Sequence, residues 1–236
     1  MINKILYLIP SSIGIYQADT HITTSVKEAL ETVDYLIVEH AKPARLFIKQ
    51  CELKRKIDTF NLIEIGIKGI ESQIKIDIET IFKNHQTVGM LSDAGLPCVA
   101  DPGAKWVNLA RKHHFKIVPL VGPSSLMLAL MASGLNGQAF CFHGYLPVQQ
   151  HELKTKLSLM STQIVKDNST QLFIETPYRN QKLLESLLQF IPENIRLCIA
   201  LNILQEDESI ETKSIKEWKK NTPQLLKIPC LFLLGT

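Results

Sequence analysis

The stretch TVGMLSDAGLPCVADPG, residues 87–103, decides the fold. Its first five residues form a short apolar run of the kind a buried strand needs. The run passes straight into Ser92-Asp93-Ala94-Gly95, a cluster of turn-forming residues. Pro102 then suits the first turn of a helix reaching about His113. Working outward toward the N-terminus, residues 5–9 read as a second buried strand, closed by Pro10-Ser11-Ser12. Residues 24–33 predict a helix with Thr24 as its N-cap and Val26, Ala29, Leu30 and Val33 along one face. Residues 35–38 are another strand, ending at Glu39. Helices follow over 44–50 and, more amphipathic, over about 70–84. Downstream of the opening stretch, residues 116–120 give the next strand. Repeated strand–helix alternation predicts a parallel sheet covered by helices on both faces.

The segment Pro119-Leu120-Val121-Gly122-Pro123 interrupts this pattern, because two prolines and a glycine stop regular structure. A helix runs from about 124 to 132. Beyond it, strands fall near 139–143, 170–175, 196–203, 208–213 and 229–234, with helices near 151–161, 179–190 and 214–220. Strands in closer succession predict a mixed or antiparallel sheet. The expectation is two α/β domains, residues 1–119 and 120–236, without internal repeats or low-complexity tracts.

Composition agrees with a globular chain: of 236 residues, 45% are hydrophobic and 21% charged, enough apolar material for a sizeable core. A formal charge of +3 permits an anionic partner without demanding one. Cysteines at 51, 98, 141, 198 and 230 are scattered, odd in number and lack a CxxC pair. That argues for reduced thiols in a cytoplasmic protein rather than a disulfide framework or zinc site. The N-terminal apolar run stops at Pro10, too soon for a signal peptide, and no stretch spans a bilayer.

Ligands of open α/β sheets bind beyond the carboxyl ends of the strands. Three segments lie there: residues 10–14, residues 92–103, and Glu175-Thr176-Pro177-Tyr178-Arg179. Small residues let backbone N–H groups approach a ligand, and an acidic side chain can accept from a ribose hydroxyl or an ammonium. Each segment taken singly also reads as an ordinary turn. Dinucleotide, P-loop, hydrolase-elbow and HExxH patterns are absent. His113-His114 fits a helix C-terminus, His143 is as readily a satisfied half-buried histidine as a functional one, and residues 216–220 read as a solvated helix face.

Taken together, these segments resemble one family. Residues 92–103 look like the SDAGTPxxSDPG signature of the ribosomal RNA small-subunit methyltransferase I family, in the tetrapyrrole-methylase superfamily. Residues 119–125 resemble its VPxPGPSA, Phe142 to Pro147 its FxGFLP, and Phe173 to Arg179 its FYESPHR, in family order and spacing. The resemblance implies two α/β domains of the tetrapyrrole-methylase (class III methyltransferase) type, with S-adenosylmethionine in a cleft between them. It also implies a homodimer and methyl transfer to a ribose 2′-oxygen of small-subunit ribosomal RNA. The first domain would carry the acceptor and a cofactor loop, the second the adenosine side.

By the same resemblance the cofactor would meet Pro10, Ser92, Asp93, Ala94, Leu96 and Val99, then Ser124 and Ser125 from the linker. Ile174, Glu175, Ala200, Leu201 and Asn202 would face its adenosine end. Glu39 and Asp101 are the first candidates for acid–base work, with Asp101 equally readable as the cap of the helix at Pro102. Lys42, Arg45 and Arg179 are the candidates for RNA phosphates. No metal is indicated. The chain departs from the family in its first loop, Pro10 to Tyr16, which lacks the Asn-Leu of PTPIGNL. It departs again at Glu39-His40-Ala41-Lys42, where the family has EDTR, and around residues 58–64, where SHxHNE is not recognisable. An altered acceptor is one reading of those changes. Action on a tetrapyrrole or protein side chain, or binding without catalysis, are others.

Overall fold

A computed structural model describes residues 4–14, 21–66, 71–225 and 227–236. The first loop's Ile15 and Tyr16, and Ile70 at the expected start of a helix, lie outside them. The chain divides into two compact units, residues 1–124 and 125–236.

The first unit holds strands β1 (Ile5–Ile9), β2 (Tyr35–Val38), β3 (Asn61–Glu64), β4 (Thr87–Leu91) and β5 (Lys116–Pro119). They form one sheet in the order β3-β2-β4-β1-β5, every described pair parallel. The helices are α1 (Thr24–Thr32), α2 (Ala41–Gln50), α3 (Glu71–Asn84) and α4 (Ala104–Lys112), with a 3-10 turn at Ile57–Thr59. Two apolar layers sandwich the sheet. Val26, Leu30, Phe47 and Ile48 of α1 and α2 pack on one face with Ile9, Leu36 and Val38. Ile74, Ile78, Phe82, Trp106 and Ala110 of α3 and α4 pack on the other with Leu6, Ile37 and Val88. Strands buried on both faces must be apolar throughout, which is why β1, β2 and β4 stand out in the sequence.

Three local expectations are corrected. The α1 N-cap is Thr23, not Thr24. Helix α4 begins at Ala104 behind an N-cap at Gly103, so Pro102 sits in the preceding turn and Asp101 does not cap the helix. Strand β3 has no counterpart in the sequence reading.

The second unit is a mixed sheet in the order β6-β7-β10-β8-β9. Its strands are β6 (Phe140–Tyr145), β7 (Thr170–Ile174), β8 (Arg196–Leu201), β9 (Ser209–Ser214) and β10 (Cys230–Gly235). β6 and β7 are parallel, while β10 runs antiparallel to both β7 and β8. Helix α5 (Ser125–Ser133) covers one face through Leu126, Ala129 and Leu130. Helices α6 (Gln150–Asp167), α7 (Asn180–Phe190) and α8 (Ile215–Lys220) cover the other, around Phe173 and Phe232. Those two rings stack at 5.7 Å.

Candidate functional site

In the first unit the connections leave neighbouring strands in opposite directions. The helices after β1 and β2 lie on one face, whereas α4, after β4, lies on the other. β4 sits between β1 and β2, so a crevice opens on both sides of its carboxyl end. This is the topological switch point at which open α/β sheets bind ligands. The loops after β1, β2 and β4 therefore converge, and hydrogen bonds tie them together.

The β1 and β4 loops are joined by the Ser11 N–H, which donates to the Gly95 carbonyl at 2.9 Å. Gly95 has φ +75°, a left-handed conformation that suits glycine. Pro10, Ser11, Ser12 and Ser92 are buried here, and the Ser11 hydroxyl has no hydrogen-bond partner among the described residues. Ser92 organises the β4 loop. Its Oγ accepts the Ala94 N–H at 3.2 Å and lies 2.9 Å from the Ala94 carbonyl and 2.5 Å from Asp101 Oδ2. One hydroxyl proton serves one of the two acceptors, and the charged carboxylate makes the stronger bond. Ala94 and Val99 are exposed, and Leu96 is half-buried.

The β2 and β4 loops are joined through the sheet register. Val38 pairs with Leu91, so residues 40 and 93, two places further along each strand, meet. The His40 N–H donates to Asp93 Oδ1 at 3.2 Å, and His40 Nδ1 lies 2.6 Å from Oδ2. Both carboxylate oxygens of Asp93 are thus engaged by one residue.

Glu39 and Asp101 come together, lining one small cavity with Ile65, Met90, Ser92, Cys98 and Gly103. Burial raises the pKa of Glu39, and repulsion from Asp101 and Asp93 raises it further. Burial likewise raises Asp101, against the opposing Ser92 hydrogen bond. Lys42 and Arg45 are exposed, one turn apart on α2 just beyond His40.

The ligand-type atoms of Glu39, His40 and Asp93 lie within 4.8 Å of one another. A cation could use that spacing, but His40 Nδ1 already bonds Asp93 Oδ2, and Oδ1 accepts the His40 backbone N–H.

In the second unit, Glu175 follows β7 with its carboxylate buried. Oε1 accepts the Thr176 N–H at 2.8 Å. The Arg179 guanidinium stands 2.9 Å from Oε2. Oε2 thus has charge compensation at close range, without a well-aligned hydrogen bond among the described residues. Arg179 is consequently an internal counter-ion as well as a surface cation. Leu231 of β10 pairs with both Ile174 and Ala200, which places those two residues on one sheet face. Ala200 is buried there beneath α5. Asn202 takes a left-handed φ of 45°, and its side-chain amide donates to Asp207 at 2.7 Å. Ser124 closes the first unit and Ser125 opens α5; both are half-buried.

Other histidines and thiols have structural explanations. His143 Nε2 bonds Gln171 Oε1 at 2.7 Å, and burial lowers its pKa. His113 is the C-cap of α4. All five cysteines are free, three of them buried. Lys216, Lys219 and Lys220 are exposed, and Lys219 pairs with Glu193.

Sequence reasoning missed His40 and Gly66. A Cβ on Gly66 would stand 2.7 Å from His40 Nε2 and 2.6 Å from the Glu39 carbonyl, so a glycine is needed where the imidazole lies. The signal available was the departure at residues 39–42, where His40 replaces an acidic residue of the family pattern.

Comparison with known proteins identifies the family of the chain. The profile described as Tetrapyrrole (Corrin/Porphyrin) Methylases matches residues 13–219. Among curated proteins, the ribosomal RNA small subunit methyltransferase I of Mesorhizobium japonicum is 28% identical over 211 residues, covering 89% of this chain and 67% of that protein. The protein of the same name from Vibrio cholerae is 29% identical, covering 90% and 69%. That of Bacillus subtilis is 27% identical, covering 98% and 75%. Among solved structures, the methyltransferase CobJ superposes with a TM-score of 0.66 at 15% identity, covering 99% of this chain and 95% of that one. A uroporphyrin-III C-methyltransferase of Thermus thermophilus complexed with S-adenosylhomocysteine does so at 0.58 and 14%, covering 98% and 97%. These likenesses share the fold. With its profile match spanning most of its length, the chain belongs to the tetrapyrrole (corrin/porphyrin) methylase family.

Proposed function

We propose that the chain transfers the methyl group of S-adenosylmethionine to a ribose 2′-hydroxyl of small-subunit ribosomal RNA. The observation that carries this reading is the convergence of three loops at the end of β4, in a chain whose curated relatives share one name over about nine-tenths of its length. Composition and polarity of the loops fit the cofactor. The partnerless Ser11 hydroxyl is the kind of buried polar atom a ligand satisfies.

In the first unit Pro10, Ser11, Ser92, Asp93, Ala94, Leu96, Val99 and Ser124 would hold the methionine end. In the second, Ser125, Ile174, Glu175, Leu201 and Asn202, with the backbone of Ala200, would hold the adenosine end. When bound, S-adenosylmethionine supplies an electrophilic methyl carbon on a sulfonium. The chain's own task is to align the acceptor, exclude water and take one proton. Glu39, His40 and Asp101 are the titratable groups at the β4 end that could take it.

Lys42 and Arg45 are exposed beside this site and are suited to RNA phosphates, which position a substrate without reading its sequence. A double Lys42→Ala, Arg45→Ala variant is expected to bind small subunits more weakly and with a salt dependence shallower by up to about two phosphate contacts. Its affinity for S-adenosylmethionine should match the wild type. The deciding assay is transfer of labelled methyl to purified small subunits from a strain lacking the protein. Absence of transfer there would refute the ribosomal acceptor and leave the family assignment standing.

A symmetric homodimer working in the cytoplasm completes the reading. Light scattering is expected to give twice the chain mass, and a monomer across the micromolar range would refute the dimer. No helix among the described residues is long and apolar enough to cross a membrane.

A further inference from the structure

We propose that His40 is the proton acceptor of methyl transfer, with Asp93 as the residue that positions its ring. The assignment rests on the hydroxyl-acceptor reading above. Its geometry is independent of that reading. Asp93 grips residue 40 twice, at the backbone N–H and at Nδ1. A carboxylate only accepts hydrogen bonds, so Nδ1 carries the proton and the neutral ring presents its lone pair at Nε2. Nε2 makes no hydrogen bond among the described residues; its edge of the ring lies beside Gly66, where the missing side chain leaves space next to the nitrogen.

Accessibility separates His40 from the two carboxylates beside it. Asp101 is half-buried, with Oδ2 2.5 Å from the Ser92 hydroxyl. Glu39 is half-buried and is repelled by Asp101 and Asp93, which keeps its proton on to higher pH. The His40 side chain is 49% exposed, whereas Glu39 and Asp101 are both half-buried. The charged groups around the ring are Asp93 after β4, Glu39 after β2 and Glu64 at the end of β3. The Asp93 hydrogen bond is the main cause that raises the imidazole pKa, and the charges of all three carboxylates add to it against partial desolvation.

The step balances. A lone pair of the acceptor oxygen forms the bond to the methyl carbon, and the carbon–sulfur bond breaks with its electron pair going to sulfur. The hydroxyl proton passes to Nε2. The products are a methyl ether, a neutral thioether and an imidazolium, so the single positive charge moves from sulfonium to His40.

The test uses the full chain with small ribosomal subunits, and imidazole NMR as a second readout. For the wild type, kcat should rise with pH through an inflection above the ordinary imidazole value of 6.5. His40→Ala and His40→Gln should lower kcat by about 10²–10⁴-fold and lose that inflection. Asp93→Asn should shift the inflection down and reduce kcat more than it changes KM. NMR of the wild-type chain should show a neutral Nδ1–H tautomer titrating above 6.5, and Asp93→Asn should lower that value.

A His40→Gln variant with wild-type rate and pH profile overturns the role. An imidazole titration indifferent to Asp93→Asn overturns it too. So does saturable movement of the His40 resonances by Mg²⁺ or Zn²⁺, which would make the cluster a cation site. A wild-type chain that methylates no RNA refutes the acceptor reading instead, and the imidazole titration then still decides the His40–Asp93 pair.

Discussion

Titrated with S-adenosylmethionine in a calorimeter, the Ala94→Trp variant should give no binding heat under conditions where the wild-type chain saturates. Residue 94 is exposed beyond β4, yet its backbone is held at its own N–H and through the residue that follows it. Its N–H is accepted by Ser92 Oγ, and its carbonyl lies 2.9 Å from the same oxygen. The next residue, Gly95, is held by the Ser11 N–H. An indole added there cannot be relieved by sliding the loop without breaking these bonds. It would add a bulky, exposed side chain on the β4 loop at the proposed cofactor site. A loss of at least about 100-fold, or about 2.8 kcal/mol, is expected. Because the position faces solvent, stability should change by no more than about 0.5 kcal/mol, so lost binding reports on the site rather than on folding. Binding at wild-type affinity would remove this loop from the cofactor site.

The same loop shows what a sequence can and cannot disclose. β4 and the turn after it were legible because a central parallel strand is apolar on both faces and must end in residues that tolerate a sharp turn. β3, with the sequence Asn-Leu-Ile-Glu, is an edge strand with no fully buried position, so its four residues carry no apolar run. Missing it also hid Gly66. Asp101 stands before Pro102, where a helix cap is a fair reading. Left-handed residues at Cys98 and Ala100 instead turn the chain so that the carboxylate reaches Ser92, nine residues back. Nothing local in the sequence encodes that turn. His40 and Asp93 are 53 residues apart, and they meet only because β2 lies beside β4 in a register that pairs Val38 with Leu91. Strand order is a global property, so the pair becomes visible only with the topology. Glu39 and Asp101 were nominated from their positions at strand ends, and they do share a cavity.

Arg179→Ala should destabilise the second unit far more than the loss of a surface cation would, and Glu175→Gln in the same chain should restore most of the loss. The Glu175 carboxylate is 1% exposed, whereas the Arg179 side chain is 31% exposed. Removing the arginine leaves a buried charge with the Thr176 backbone and hydroxyl as its remaining partners, both on Oε1. Breaking a buried pair from one side costs about 3–5 kcal/mol, and the partial exposure of Arg179 places the expectation near about 3 kcal/mol. Neutralising Glu175 as the amide removes the stranded charge while keeping the shape, so the double variant should recover about 2 kcal/mol. The chain's two tryptophans fall one in each unit, Trp106 in the first and Trp218 buried in the second. In a Trp106→Phe background, denaturant-induced fluorescence change then follows the second unit alone. Arg179→Ala with an unchanged midpoint would mean that the ion pair is solvent-screened and that Arg179 is free to serve RNA. A large drop that Glu175→Gln fails to rescue would place the arginine's contribution in packing of its stem rather than in charge. Under the expected result, weakened RNA binding by Arg179→Ala cannot be read as a lost phosphate contact, and Lys42 and Arg45 become the cations on which an RNA surface should be tested.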